Sequence, residues 1–155
     1  MRREDVANHG VFTGLTPGEA DQVLALAREE RFEKNEVVIE ESGINSDLFL
    51  LLSGRVSVEI QMTRADGSRT REQIVRLRAP DTFGEIAFLE GKRRSAYVIA
   101  SDDIQVLRIN GEKLRALFES NNHIAYTIMC NLCLTLANRL IDSNFRWRNE
   151  IARVG

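Results

Sequence analysis

Polar and apolar side chains alternate strictly from Arg55 to Met62, a period of two that is typical of a strand with one buried face. The pair Asp66-Gly67, a strong hairpin signal, precedes a second strand pattern over residues 72–77. The run of apolar residues at 48–52 indicates a buried strand. Three shorter strand patterns cover residues 36–40, 96–100 and 104–109. Many short strands divided by turn residues predict an antiparallel β-roll or jelly roll.

A helical pattern precedes the predicted strands. Thr16 and Glu19 form a capping box, and Pro17 stands at the first helical position. These residues predict the start of a helix, and we expect the charged residues up to Arg31 to close it.

Helical patterns also follow the predicted strands. Asn110 is a candidate N-cap, and residues 123–151 predict a long final helix. Apolar residues recur along this helix near its period: Ala125, Ile128, Met129, Leu132, Leu136, Leu140 and Trp147. We therefore expect a mainly β fold with flanking helices (α+β) in a single domain, residues 1–155. Its parts are a helical N-terminus over 1–31, a β-roll over 32–109 and C-terminal helices over 110–151.

The composition is that of an ordinary globular domain, with 43% hydrophobic and 28% charged residues in a chain of 155. The net charge of −2 provides no overall basic field for nucleic acid. No apolar segment follows the N-terminus, so no signal peptide is evident. Cys130 and Cys133 lie within the long helical pattern, where we expect two small buried side chains and free thiols. These features predict a cytoplasmic location without a membrane segment.

The segment from Phe83 to Ala96 carries the chemistry that the sequence offers. A carboxylate such as that of Glu85 can accept hydrogen bonds from sugar hydroxyls, and the guanidinium of Arg94 can hold a phosphate with two parallel bonds. A short helix beginning near Gly84 would add free backbone N–H groups. A small ligand that contains both a ribose and a phosphate fits this segment.

This segment resembles the phosphate-binding cassette of cyclic-nucleotide-binding domains, in which Phe-Gly-Glu, an apolar residue and Ala are followed by a loop and by Pro-Arg-Ser/Thr/Ala-Ala. The matching residues here are Gly84, Glu85, Ala87, Arg94, Ser95 and Ala96. The resemblance extends over about residues 12–141 and includes the order of strands and turns. Arg93 stands where the family usually has Pro, and the turn at residues 42–45 differs from the family's Gly-Asp.

The resemblance implies a role for each part of the site. Glu85 would accept the ribose 2′-hydroxyl, and Arg94 would pair with the cyclic phosphate. The complete ligand-binding set would be Phe83, Gly84, Glu85, Ile86, Ala87, Arg94, Ser95 and Ala96. The long helix would cover the base, with Ser143, Asn144 and Trp147 as candidate base contacts. Bacterial regulators of this family also form dimers through this helix, so a homodimer is a further expectation.

The function expected is therefore that of a cyclic AMP or cyclic GMP sensor, with cyclic AMP as the first candidate, which relays ligand binding through the C-terminal helix. It would need no metal, cofactor or catalytic residue, and would act on an effector protein that the sequence does not identify. The long helix is not followed by a helix-turn-helix within these 155 residues, so we expect no direct DNA binding from this chain, which would be either a free-standing sensor module or a fragment of a larger protein. The alternative is a degenerate fold that serves as a dimerisation or docking scaffold without nucleotide. A metal-dependent jelly-roll enzyme is opposed by the histidine count, because only His9 and His123 are present.

Overall fold

Two four-stranded antiparallel sheets form the centre of the computed structural model, which describes residues 3–91 and 93–155. The first sheet has the order β1 (Ala27–Phe32), β8 (Ile104–Ile109), β3 (Leu48–Ser53) and β6 (Thr82–Phe83). The second has the order β2 (Val37–Ile39), β7 (Tyr97–Ala100), β4 (Arg55–Thr63) and β5 (Arg69–Arg78). The predicted mainly β fold with flanking helices is confirmed.

Helices surround the sheets. At the N-terminal side lie α1 (Arg3–Ala7), a 3₁₀ turn (Gly10–Phe12) and α2 (Pro17–Leu24). A short helix, α3 (Glu85–Glu90), lies within the roll, and α4 (Gly111–Ser120) and α5 (Asn122–Val154) follow it.

Strand β3 lies at the centre of the core because both of its faces are buried. Leu48 and Leu50 belong to an apolar cluster that the first sheet forms with the helices, which contribute Phe12, Leu114, Ile124, Ile128 and Leu132. Phe49 and Leu51 point the other way, into a cluster shared with the second sheet, which contributes Val56, Val98 and Ala100. Burial on both faces explains why this strand has a continuous apolar sequence, without the alternation seen in β4.

The local signals for turns and caps are confirmed. The Thr16 hydroxyl accepts from the Glu19 N–H at 3.2 Å, and the Glu19 carboxylate accepts from the Thr16 N–H, which is the predicted capping box. Asn110 Oδ1 accepts from the Lys113 N–H at 2.9 Å and caps α4. Gly67 has a φ of +82° in the turn between β4 and β5. These signals succeed because each depends on residues that are near one another in the sequence.

The predicted N-terminal helix is too long. Helix α2 ends at Leu24, and the charged residues expected to close it belong to strand β1. This strand pairs with β8 over six residues, from Ala27 opposite Ile109 to Phe32 opposite Ile104. Backbone pairing with a strand almost eighty residues away therefore overrides the local helical preference of this charged segment.

Helix α5 is buried in its first half and exposed in its second. Ile124, Ile128 and Leu132 are fully buried, whereas every residue from Leu140 onward is exposed. The expectation that both cysteines are buried is wrong, because Cys130 is partly exposed and Cys133 is exposed on the outer side of this helix. By length and composition alone α5 is apolar enough to cross a membrane, but a core helix passes the same test.

Candidate functional site

The site is built around Gly84, where the chain turns from β6 into α3. Gly84 has a φ of +81°, a left-handed conformation that favours glycine. A Cβ atom at this position would lie 2.9 Å from Arg94 Nη1 and 2.9 Å from the carbonyl oxygen of Asp47. Glycine is therefore needed here both for the turn and for the close approach of the guanidinium.

Arg94 is held inside the protein with only 4% of its surface exposed. Its Nη1 donates to the carbonyl oxygen of Gly84 at 2.8 Å, and its Nη2 donates at 2.7 Å to both Asn45 Oδ1 and the carbonyl oxygen of Asp47. Its Nε is buried and has no hydrogen-bond partner among the described residues. Burial lowers the pKa of the Arg94 guanidinium below its ordinary value, an effect that the nearby Asp47 opposes.

An unpartnered Nε on a buried arginine is costly, since a buried donor loses its bonds to water without replacement. An anionic oxygen placed beside this Nε would supply the missing acceptor.

The other side of the guanidinium contacts the turn at residues 42–45, whose sequence departs from the family pattern. This departure supplies Asn45 as an acceptor, a role that the sequence did not reveal.

The side chain of Asp47 fixes this turn in place. Its Oδ2 accepts from Arg108 Nε at 2.7 Å, and its Oδ1 accepts from the Gly111 N–H at 3.0 Å. Its backbone carbonyl remains available for Arg94. The turn is therefore tied to strand β8 and to the start of α4, which fixes the guanidinium in position.

Glu85 is the first residue of α3 and is also buried, with 5% of its surface exposed. Its Oε1 accepts from Nη1 of Arg139, on helix α5, at 2.7 Å. Nη2 of Arg139 donates to the carbonyl oxygen of Thr82, the residue that opens β6. The candidate ribose-binding carboxylate is thus directly connected to the long helix, and the second carboxylate oxygen has no bond to a described residue.

A cavity of about 470 Å³ lies between α3, the second sheet and α5. Its wall includes all eight residues of the expected ligand-binding set: Phe83, Gly84, Glu85, Ile86, Ala87, Arg94, Ser95 and Ala96. The sheet contributes Ile39, Val58, Ile74, Val75, Leu77 and Val98, and α5 contributes Leu136, Arg139, Leu140, Ser143 and Arg146. The cavity is therefore mainly apolar, with a few charged groups in fixed places, as small-molecule sites usually are.

The three candidate base contacts differ in position. Ser143 lines the cavity, whereas Asn144 and Trp147 are exposed and are not part of its wall. Arg139 and Arg146 line it but were not among the expected site residues. Arg139 lies four residues before Ser143 and Arg146 three residues after it, which places all three on one helix face. Helical periodicity could therefore have indicated both arginines. In the basic run 92–94, Arg93 is exposed, and Lys92 lies outside the described residues.

Comparisons with known proteins agree with this geometry. A family model described as "Cyclic nucleotide-binding domain" matches residues 29–121. The chain is 31% identical over 119 residues to cyclic GMP-binding protein C of Dictyostelium discoideum, covering 75% of this chain and 4% of that protein. It is 27% identical over 135 residues to the cyclic AMP receptor protein of Thermus thermophilus, covering 86% of this chain and 58% of that protein. The chain thus spans less than two thirds of the length of each of these relatives.

Solved structures show the same fold. A cyclic nucleotide-binding domain from Methylobacillus flagellatus superposes with a TM-score of 0.82 at 18% identity, covering 93% of this chain and 81% of that one. The catabolite activator protein of Thermus thermophilus superposes with a TM-score of 0.68 at 25% identity, covering 90% of this chain and 62% of that one.

Proposed function

The chain belongs to the cyclic nucleotide-binding domain family, and on that premise we propose that it is a sensor whose cavity binds a cyclic purine nucleotide. The observation that carries this proposal is the placement of Glu85 and Arg94 in the wall of one cavity, with the Nε of Arg94 buried and unpartnered. The cyclic phosphate would accept from this Nε, and the first-turn N–H groups of α3 would add further donors. Glu85 would accept the ribose 2′-hydroxyl on its free carboxylate oxygen.

We further propose that α5 relays the binding event. Arg139 joins Glu85 to this helix, so a ligand that bonds to Glu85 acts on the same carboxylate that anchors α5. A ligand shifts a conformation only through contacts that differ between two states. The shared carboxylate supplies such a contact. In this proposal the protein is regulatory, acts in the cytoplasm on an effector protein, and needs neither a catalytic residue nor a metal.

The alternative function is a scaffold that keeps the fold without a ligand. The exposed apolar residues Leu140, Ile141 and Phe145 of α5 favour an interface with the same helix of a second copy. Such a dimer is compatible with both functions. Sedimentation velocity should show a dimer that Phe145→Glu shifts towards monomer, and a monomeric wild-type protein would contradict this interface.

Calorimetric titration with cyclic AMP and with cyclic GMP tests nucleotide binding. Arg94→Leu should weaken the preferred nucleotide about a hundredfold, because about 1.4 kcal/mol corresponds to each factor of ten and a charged pair of this kind contributes a few kcal/mol. Arg93→Leu is the matched control, since Arg93 is exposed, and it should change affinity far less.

Arg94 also holds the turn at Asn45, so its loss affects folding as well as binding. Arg94→Lys is therefore a second variant: it keeps the positive charge but loses the fork of donors, and should bind more weakly than wild type while remaining folded. Equal effects of the Arg93 and Arg94 substitutions would mean that the phosphate is held elsewhere. No heat of binding with either nucleotide at millimolar concentration would favour the scaffold.

A further inference from the structure

We propose that the cavity selects guanine over adenine, and that Arg146 on α5 is the residue that determines this specificity. The inference rests on the proposed function, because it assigns the base of the nucleotide that the cavity would bind. The inference predicts cyclic GMP as the preferred ligand, whereas the sequence alone made cyclic AMP the first candidate.

The position of the base follows from the positions of the phosphate and the ribose. Arg94 and Glu85 fix those two groups at the α3 side of the cavity, so the base must lie against the remaining wall. That wall consists of apolar residues of the second sheet and one face of α5. Val75 and Leu140 provide apolar contact for a purine ring, but neither can distinguish one purine from another.

Only a few polar side chains remain to read the edge of the base. On α5 these are Arg139, Ser143 and Arg146. Arg139 is already bonded to Glu85 and to the carbonyl oxygen of Thr82. Arg146 makes no hydrogen bond or ion pair within the part of the chain that the structure describes. Its guanidinium is therefore the available charged group on this wall.

The donors of Arg146 match guanine and mismatch adenine. Guanine presents two neighbouring acceptors, O6 and N7, to which an arginine can donate two parallel hydrogen bonds. Adenine presents N7 beside its N6 amino group, so one arginine donor would face another donor. Among the described residues that line the cavity, Glu85 is the only carboxylate and there is no side-chain amide, so the other side-chain acceptors for adenine's amino group are the hydroxyls of Ser95 and Ser143. Recognition of guanine and rejection of adenine thus have the same cause.

Competition between cyclic GMP, cyclic AMP and cyclic IMP on the full chain tests this assignment. Cyclic GMP should bind at least about tenfold more tightly than cyclic AMP, a modest value for one bidentate contact near the surface. Cyclic IMP has the O6 and N7 of guanine but lacks its amino group, so it should bind like cyclic GMP. If cyclic IMP instead binds as weakly as cyclic AMP, the O6 and N7 atoms that Arg146 would contact do not determine affinity, and the assignment is wrong.

Three variants test whether Arg146 itself determines the preference for cyclic GMP. Arg146→Ala should reduce the preference for cyclic GMP to within about twofold of equality, because cyclic GMP loses its two hydrogen bonds and cyclic AMP no longer faces a mismatched donor. Arg146→Lys keeps a charged donor that can still reach O6 or N7 but lacks the planar fork, so it should retain a smaller preference for cyclic GMP than wild type. Arg148→Ala, an exposed arginine outside the cavity wall, is the control and should keep the preference.

Failure of this inference differs from failure of the proposed function. If both nucleotides bind with equal affinity to wild type, the guanine assignment falls and nucleotide binding stands. If the preference for cyclic GMP survives Arg146→Ala, then Arg146 does not determine it. If neither nucleotide binds, both proposals are overturned together.

Discussion

Arg139 is the last residue of α5 whose side chain is not exposed, and its substitution is the sharpest test of the link between cavity and helix. Arg139→Leu removes the bond to Glu85 and the bond to the carbonyl oxygen of Thr82. Leucine and arginine have nearly equal helix propensities, so the change leaves the intrinsic stability of the helix intact. Any loosening of α5 can then be assigned to the lost contacts.

The size of the effect follows from burial. A hydrogen bond to a charged group contributes about 1.5–3 kcal/mol when buried. The Arg139 side chain is 24% exposed, whereas that of Glu85 is 6% exposed, so water partly screens the pair. We therefore expect about 1–2 kcal/mol for the attachment of the helix, discounted for this screening. That value corresponds to an increase of about fivefold to thirtyfold in the open population of the segment.

Hydrogen exchange measured by mass spectrometry reports this population for each peptide. In Arg139→Leu, peptides that cover residues 139–147 should exchange faster by that factor, whereas the core peptide that contains Leu132 should be unchanged. Arg148→Leu, outside the cavity wall, is the control for a lost surface charge. Exchange at wild-type rates in Arg139→Leu would refute the view that this ion pair holds the helix.

The remaining predictions concern the cassette, the ligand response and the N-terminal segment. Wild type should bind the 2′-deoxy analogue of its nucleotide more weakly than the parent, and Glu85→Ala should lose this discrimination in calorimetry; equal binding by wild type contradicts the role of Glu85. Gly84→Ala should lower both the melting temperature and nucleotide affinity more than Gly67→Ala, because both glycines have a φ near +80° but the new Cβ would lie 2.9 Å from Arg94 Nη1 only at Gly84. Saturating nucleotide should slow hydrogen exchange in residues 84–96 and 143–147, and slowing in the first segment alone would mean that the signal does not pass through α5. Burial lowers the pKa of His9 below 6.5 in the folded protein. As the pH drops from about 7.5 to about 5.5, His9 becomes protonated more readily in the unfolded chain than in the folded protein, so stability should fall. Thermal melts should show that His9→Asn reduces this loss, and an unchanged pH dependence would exclude the histidine as its source.

The strands and the cassette could be predicted because their signals are local. The alternation in β4, the Asp66-Gly67 turn and the two helix caps each depend on neighbours a few residues apart, and β8 has the predicted limits. Strand β1 could not be predicted in this way. Its charged residues have no strand pattern of their own, and its conformation is set by pairing with β8.

The candidate site also combines residues that local sequence predicts with residues that only the fold brings together. Glu85 and Arg94 are found from a motif within twelve residues, and both line the cavity. The groups that position them come from distant parts of the chain: Asn45 is 49 residues from Arg94, and Arg139 is 54 residues from Glu85. No periodicity links such pairs, because only the fold brings them together. Sequence reasoning thus identified the groups expected to touch the ligand and missed those that hold them.

The uneven packing of α5 suits a helix that must respond to a small ligand. Its first half is fixed in the core by Ile124, Ile128 and Leu132, which are fully buried and each contribute about 2–5 kcal/mol to packing. Among the described residues, the hydrogen bonds that attach its second half to the roll come from Arg139, and they contribute about 1–2 kcal/mol. Contacts of that size with Glu85 and with the helix face can shift the population of a weakly held segment, but not of a fully packed one. In the proposed sensor, the incompletely buried end of the helix is therefore the part that can respond to the ligand.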